Sequence, residues 1–220
     1  MNRFFGRDAE LLRLKDHFHP TTPYSTPRLN VFVIHGLGGI GKTQLAVEYA
    51  RRHHSRYSAL FWLDGSTEDQ LKQSFIDMAH RLPQDQMTAD AAEALRQSSI
   101  DVDIVVNGVL QWLSLPSNQH WFLIIDNADR DHLHKDRDPQ AYDVKKYFPS
   151  ADHGSILITS RLASLERLGH GQKLDKVDAE QAKAILESNA GKSLNGELRC
   201  GIAGKQAQLT VAGYIVKTRT

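Results

Sequence analysis

The stretch that most constrains what this chain can fold into is Asn30 to Ala50, NVFVIHGLGGIGKTQLAVEYA. Val31 to His35 is a short apolar, β-branched run. It leads into Gly36-Leu37-Gly38-Gly39-Ile40-Gly41-Lys42-Thr43, and a helical pattern follows with Leu45, Ala46 and Tyr49 on one face. Strand, glycine-rich loop and helix with G-x-x-x-x-G-K-T at the junction make a phosphate-binding loop. Successive backbone N–H groups converge on a phosphate only where no side chain obstructs them, so glycines dominate the loop. The helix beginning near Lys42 adds the positive end of its dipole. Lys42 is then expected to reach the outer phosphates, and the Thr43 hydroxyl to ligate Mg²⁺.

Two later stretches belong with this loop. Trp121 to Ile125 is a continuous apolar run, the pattern of a parallel strand covered on both faces, and Asp126 stands at its carboxyl end. An aspartate there is expected to orient Mg²⁺ or its water shell. Gly154 to Arg161, GSILITSR, is another buried strand with Thr159, Ser160 and Arg161 at its carboxyl end. From that position Arg161 could reach a terminal phosphate and tell a triphosphate from a diphosphate by charge.

Around these run further strands at Ala59 to Asp64 and near Gln172 to Leu174. Helices are expected from Asp8, a candidate N-cap, to Phe18 with a stripe of Leu11, Leu12, Leu14 and Phe18. Others follow Ser66 or Thr67 as far as Leu82, then Ala89 to Gln97, Asp103 to Leu113, and Asp178 to Ser188. Residues 130 to 150 are charged and read as a surface excursion, and 196 to 220 as two more helices. Alternating strands and helices imply a parallel sheet with right-handed crossovers, so the three motif ends converge on one rim. No N-K-x-D follows a later strand, and adenine is the expected base.

Composition narrows the function classes. A net charge of +1 gives no basis for non-specific attraction to nucleic acid or membrane, and no apolar run approaches membrane-spanning length. The charged opening MNRFFGRDAELL lacks the apolar core of a signal peptide, and the single Cys200 forms no internal disulfide. A reducing, cytoplasmic location is expected. The histidine pairs 17/19, 53/54 and 132/134 lack nearby Cys or clustered acids and are expected to be solvated rather than metal ligands.

Taken together, FFGRDAEL, HGLGGIGKTQLAVEYA, YSALFWLDGSTEDQL, WFLIIDNAD, YFPSADHGSILITSR and VDAEQAKAILE resemble the NB-ARC class of STAND ATPases, in particular its fungal branch. These are nucleotide switches of death and immunity receptors. The resemblance implies a three-layer α/β P-loop NTPase with a parallel five-stranded sheet in order 5-1-4-3-2. It divides the chain into an N-terminal helix and linker over 1–29, an NTPase core over 30–175, and a partial helical subdomain over 176–220. It implies ATP or ADP with Mg²⁺ held by Phe5, Arg7, Gly36, Gly38, Gly39, Ile40, Gly41, Lys42, Thr43, Gln44 and Arg161, the metal by Thr43 and Asp126. Lys42, Asp126, Asn127, Asp129 and Arg161 would be the groups nearest the chemistry. Further receptor domains and self-association would be the partners, with neither nucleic acid nor membrane. Two departures stand out. Asn127 occupies the place where many members carry a second acid, and an amide cannot take a proton from water at neutral pH, so hydrolysis is expected to be slow. Gln206 falls where the family's nucleotide-packing proline is expected. The rival readings are a P-loop small-molecule kinase and an origin-recognition-like AAA+ ATPase acting on DNA.

Overall fold

The computed structural model describes residues 6–20, 28–97, 99–134, 136 and 138–176. Phe5, Cys200, Gln206 and the helices expected beyond residue 177 lie outside the described residues.

In chain order the elements are α1 (Asp8–Phe18), β1 (Asn30–His35), α2 (Lys42–His53), β2 (Ala59–Asp64), α3 (Glu68–Ala79), α4 (Ala89–Ala94), α5 (Val102–Leu113), β3 (Trp121–Asp126), β4 (Ser155–Ser160) and β5 (His170–Lys173). The strands form one five-stranded sheet in the order β2-β3-β4-β1-β5, the expected order read from its other edge. All pairings are parallel. Parallel strands bury both faces, which explains why β3 and β4 have no exposed residue at all.

Successive side chains of a strand point to opposite faces. Val31 and Val33 of β1, Leu123 and Ile125 of β3, and Ile156 and Ile158 of β4 therefore join one core with α3, α4 and α5. Phe32 and Ile34, Phe122 and Ile124, and Leu157 join the other with α1 and α2. The result is a three-layer α/β sandwich. Among the described residues no helix is long and apolar enough to cross a membrane.

Several expectations need correction. The cap position of α1 is Arg7, in a left-handed conformation (φ 72°) with no side-chain cap bond, so Asp8 sits inside the first turn. Leu12 points to solvent, because only Leu11, Leu14 and Phe18 fall on the face turned to the sheet. Residues 141–148 are not a surface excursion. Ala141, Tyr142, Val144 and Tyr147 are buried in the core beside α3, and the Tyr142 hydroxyl donates to the Gly65 carbonyl at 2.6 Å. Nor is every histidine solvated: His17 lies with its ring 5.0 Å from that of Phe32, and His53 stacks on Tyr49 at 4.4 Å.

Candidate functional site

Because the strands are parallel, their carboxyl ends share one rim. Register aligns His35 with Ser160 and Asp64 with Asp126. With β4 between β3 and β1, Thr159 to Arg161 stand between the Asp126 strand and the phosphate loop.

The loop's shape depends on glycine at particular points. Gly39 (φ 73°) and Gly41 (φ 99°, the cap of α2) have left-handed backbone, and a Cβ at either would meet no atom within 4 Å. The loop is therefore open at these two points, and α2 runs 12 residues from Lys42, leaving the amides of its first turn without intrahelical partners. Gly36 answers to a different demand: its missing Cβ would stand 2.7 Å from the Leu174 carbonyl, where the chain leaves β5. Ile40 and Gln44 complete the expected loop set, and Arg7 meets the loop directly. Its guanidinium is buried, donating at 3.3 Å to the Ile40 carbonyl and at 2.6 Å to that of Asp175, while pairing with Glu10 at 2.9 Å.

Lys42 is buried, its ammonium donating to the carbonyls of Gly36 (2.9 Å) and Leu37 (3.0 Å). Burial lowers its pKa from the ordinary lysine value; Asp129 and Asp126 work against this, and the nearby Arg161 charge works with it.

Asp126 is buried at the end of β3 and accepts from the Thr43 hydroxyl at 3.0 and 3.2 Å, and from the Thr159 hydroxyl. Burial raises its pKa; the Thr159 and Thr43 hydroxyls counteract this, while the Asp64 charge across the β2–β3 register adds to it. A buried carboxylate that receives only neutral donors, beside a threonine hydroxyl at a helix N-terminus, fits an octahedral, oxygen-preferring cation such as Mg²⁺. Asn127 is left-handed (φ 60°), its backbone N–H donating to the Thr159 hydroxyl at 3.0 Å.

Arg161 does reach this rim, with its side chain 65 % exposed and its Cδ 3.8 Å from where a Cβ on Gly38 would lie. Its guanidinium pairs with Asp129, which also accepts from the Arg161 backbone N–H at 2.6 Å. Lys42, Thr43, Asp126, Asn127, Asp129 and Arg161 therefore stand together on this rim. Sequence reasoning assigned no role to Thr159 or Asp64. The signal for Thr159 was its place where the apolar run Ile156–Ile158 gives way to polar residues at the carboxyl end of the strand.

A family model described as "AAA ATPase domain" matches residues 3–141, more than half of the chain. The chain belongs to the AAA ATPase domain family. The match includes the phosphate loop and Asp126, and Arg161 lies beyond it. This AAA ATPase domain is also 23 % identical over 246 residues to a nucleotide-binding leucine-rich repeat (NLR)-like protein of the fungus Hyaloscypha variabilis, with 96 % of the chain aligned to 24 % of that protein. It thus spans about a quarter of that relative's length.

Among solved structures it is similar to Cdc6p from Pyrobaculum aerophilum (TM-score 0.58, 12 % identity, 87 % of this chain and 51 % of that one). It is also similar to Aeropyrum pernix ORC1 in complex with DNA (0.54, 19 %, 87 % and 50 %) and ORC2 in ADPNP–ADP complexes (0.53, 14 %, 87 % and 53 %). At these identities the likeness establishes the fold alone: a three-layer α/β P-loop fold.

Proposed function

We propose that this ATPase domain is the Mg²⁺-dependent ATP/ADP-binding switch of a cytoplasmic STAND-type, NLR-like signalling protein, with slow hydrolysis. The observation that carries the reading is the Thr43–Asp126 pair, a ready-made seat for a cation, beside an open glycine-lined loop. The NLR-like relative supports the signalling assignment, and its greater length supports further domains and self-association as partners. In this reading residues 1–29 border the nucleotide through Phe5 and Arg7, residues 30–175 form the core, and 176–220 a helical unit.

A bound magnesium nucleotide supplies an anionic phosphate tail whose charge differs between ATP and ADP. The chain's own groups do the rest. Loop amides and the α2 N-terminus hold phosphate oxygens, and Lys42 exchanges its loop carbonyls for them. Thr43 and Asp126 provide oxygen ligands to the metal. Asn127 orients water without accepting its proton. Arg161 leaves Asp129 for a terminal phosphate, which makes the third phosphate the signal.

The test is the nucleotide released when the purified protein is denatured: co-purified ADP supports a resting switch, whereas GDP overturns the adenine assignment. The Cdc6p and ORC folds favour a second reading, an AAA+-type ATPase acting on nucleic acid. Salt-sensitive retention of DNA by the purified chain would promote it.

A further inference from the structure

Between β4 and β5 the chain makes a short 3₁₀ turn, Ala163–Leu168, carrying Glu166 and Arg167 in succession. Neither belongs to the site described above, yet each reaches one of its two halves. Glu166 places Oε1 2.6 Å from Nε2 of His35, a buried histidine that immediately precedes Gly36 at the root of the phosphate loop. Arg167 grips both oxygens of Asp131 at 2.7 and 2.8 Å. Asp131 is 1 % exposed and also accepts from the Ser164 hydroxyl at 2.9 Å and the Leu133 N–H at 3.3 Å. It lies five residues after Asp126 on the loop that carries Asn127 and Asp129.

The same two segments are joined along their length. Ala128 N–H donates to the Thr159 carbonyl at 2.9 Å, the Ser160 hydroxyl to the Ala128 carbonyl at 2.6 Å, and Asp129 holds Arg161. At Gly171 of β5 a Cβ would stand 2.3 to 2.4 Å from Glu166 side-chain atoms, so glycine is what leaves room for the arm to His35.

We propose that Glu166 and Arg167 are positioning residues: a two-armed clamp that carries the state of Arg161 to the phosphate loop through His35 and to the Asp126 loop through Asp131. The inference rests on the reading of Arg161 as the group that engages a terminal phosphate. Displacement of Arg161 from Asp129 moves the head of a segment whose two arms hold both halves of the site. Triphosphate and diphosphate forms then differ in the seating of the phosphate loop, and not only in one arginine contact.

The experiment measures ATP and ADP affinities in Mg²⁺ by competition with a fluorescent nucleotide, alongside thermal unfolding. Four proteins are compared with the unaltered chain: Arg161→Ala, Glu166→Ala, Gly171→Ala, and the pair Asp131→Asn with Arg167→Gln, which leaves no buried charge alone. In Gly171→Ala the added Cβ would stand 2.3 Å from Cγ of Glu166, so the Glu166 side chain must swing as a whole and its contact with His35 breaks, while no backbone atom is among the nearest atoms met. The clamp predicts that all four lower ATP affinity relative to ADP, by about 2- to 30-fold. If Arg161→Ala lowers the ratio and the clamp variants keep the original one, or lose both affinities equally with a falling midpoint, the clamp is only structural and the proposal is overturned. If Arg161→Ala itself leaves the ratio unchanged, the reading of Arg161 falls and takes the clamp with it.

Discussion

Asp126→Asn separates the function of the site from its effect on stability. The folded protein holds this carboxylate buried at the end of β3, where desolvation raises its pKa against the pull of the Thr159 and Thr43 hydroxyls. A carboxyl whose folded pKa exceeds its unfolded one contributes stability below about pH 4 that is lost as pH rises through the folded value. At neutral pH the ionised group therefore weakens the nucleotide-free fold. Asparagine keeps a carbonyl to accept a hydroxyl and removes the charge, at the risk of one misdirected amide N–H, which a rotating hydroxyl can receive. The net expectation is a gain of about 0.5–2 kcal/mol, the range usual when a function-constrained group is relieved. For a chain of this size that raises the midpoint by about 2–6 °C. The assay is thermal unfolding in EDTA without nucleotide, at pH 7 and again near pH 4. The advantage of the variant should shrink at the lower pH, and Mg²⁺ should no longer strengthen nucleotide binding. A variant less stable at pH 7, with the same deficit near pH 4, would show that Asp126 is a structural anchor and refute the reasoning.

Other expectations follow from single contacts. Gly154 (φ 83°) has no room for a Cβ, which would lie 2.2 Å from the ring of the fully buried Trp121. Gly154→Ala should therefore lower stability by about 2–5 kcal/mol in a denaturant titration, and a loss under 1 kcal/mol would contradict the packing. His17 and His19 are both held down to about 4, first by burial, with neighbouring cationic groups adding to it. A depressed histidine favours the fold above its unfolded pKa of about 6.5 and ceases to as pH falls towards 4. The midpoint should drop over that window by more in the unaltered protein than in His17→Gln/His19→Gln, with about 1 kcal/mol or less from each partly exposed ring. Asp129→Asn releases Arg161, whose side chain is 65 % exposed, so ATP should bind about 1.5- to 5-fold more tightly; weaker binding would mean that Asp129 serves the ligand directly.

Much of this architecture is legible in the chain because parallel strands advertise themselves. WFLIID and SILITS each hold an unbroken apolar run, Trp121–Ile125 and Ile156–Ile158, that gives way to polar residues at the carboxyl end, and the phosphate loop fixes which rim is the working one. Helices also announced their starts, as at Thr67, whose hydroxyl accepts from the Gln70 N–H at 3.1 Å. Charged residues with distant partners were opaque. Asp131 falls in the charged stretch read as a surface excursion and Arg167 suggests no role in sequence, since nothing local says that a bidentate partner lies 36 positions away. Tyr142, Val144 and Tyr147 follow neither a strand nor a helix period, because they are buried from an irregular turn, so their apolar character went unnoticed among lysines and aspartates. The same limit applied to α1, where a left-handed Arg7, tied to Ile40 and Asp175, takes the place an aspartate cap would hold.

In the proposed function, three distant segments close around a magnesium-bound phosphate tail. Calorimetric titration of the purified, nucleotide-stripped protein with ATP, with and without Mg²⁺, tests this directly, with Lys42→Ala as the reference. The expected result is one saturable site that Mg²⁺ strengthens and that Lys42→Ala abolishes while the unfolding midpoint barely moves. Binding indifferent to both Mg²⁺ and Lys42, or no binding at all, would contradict it.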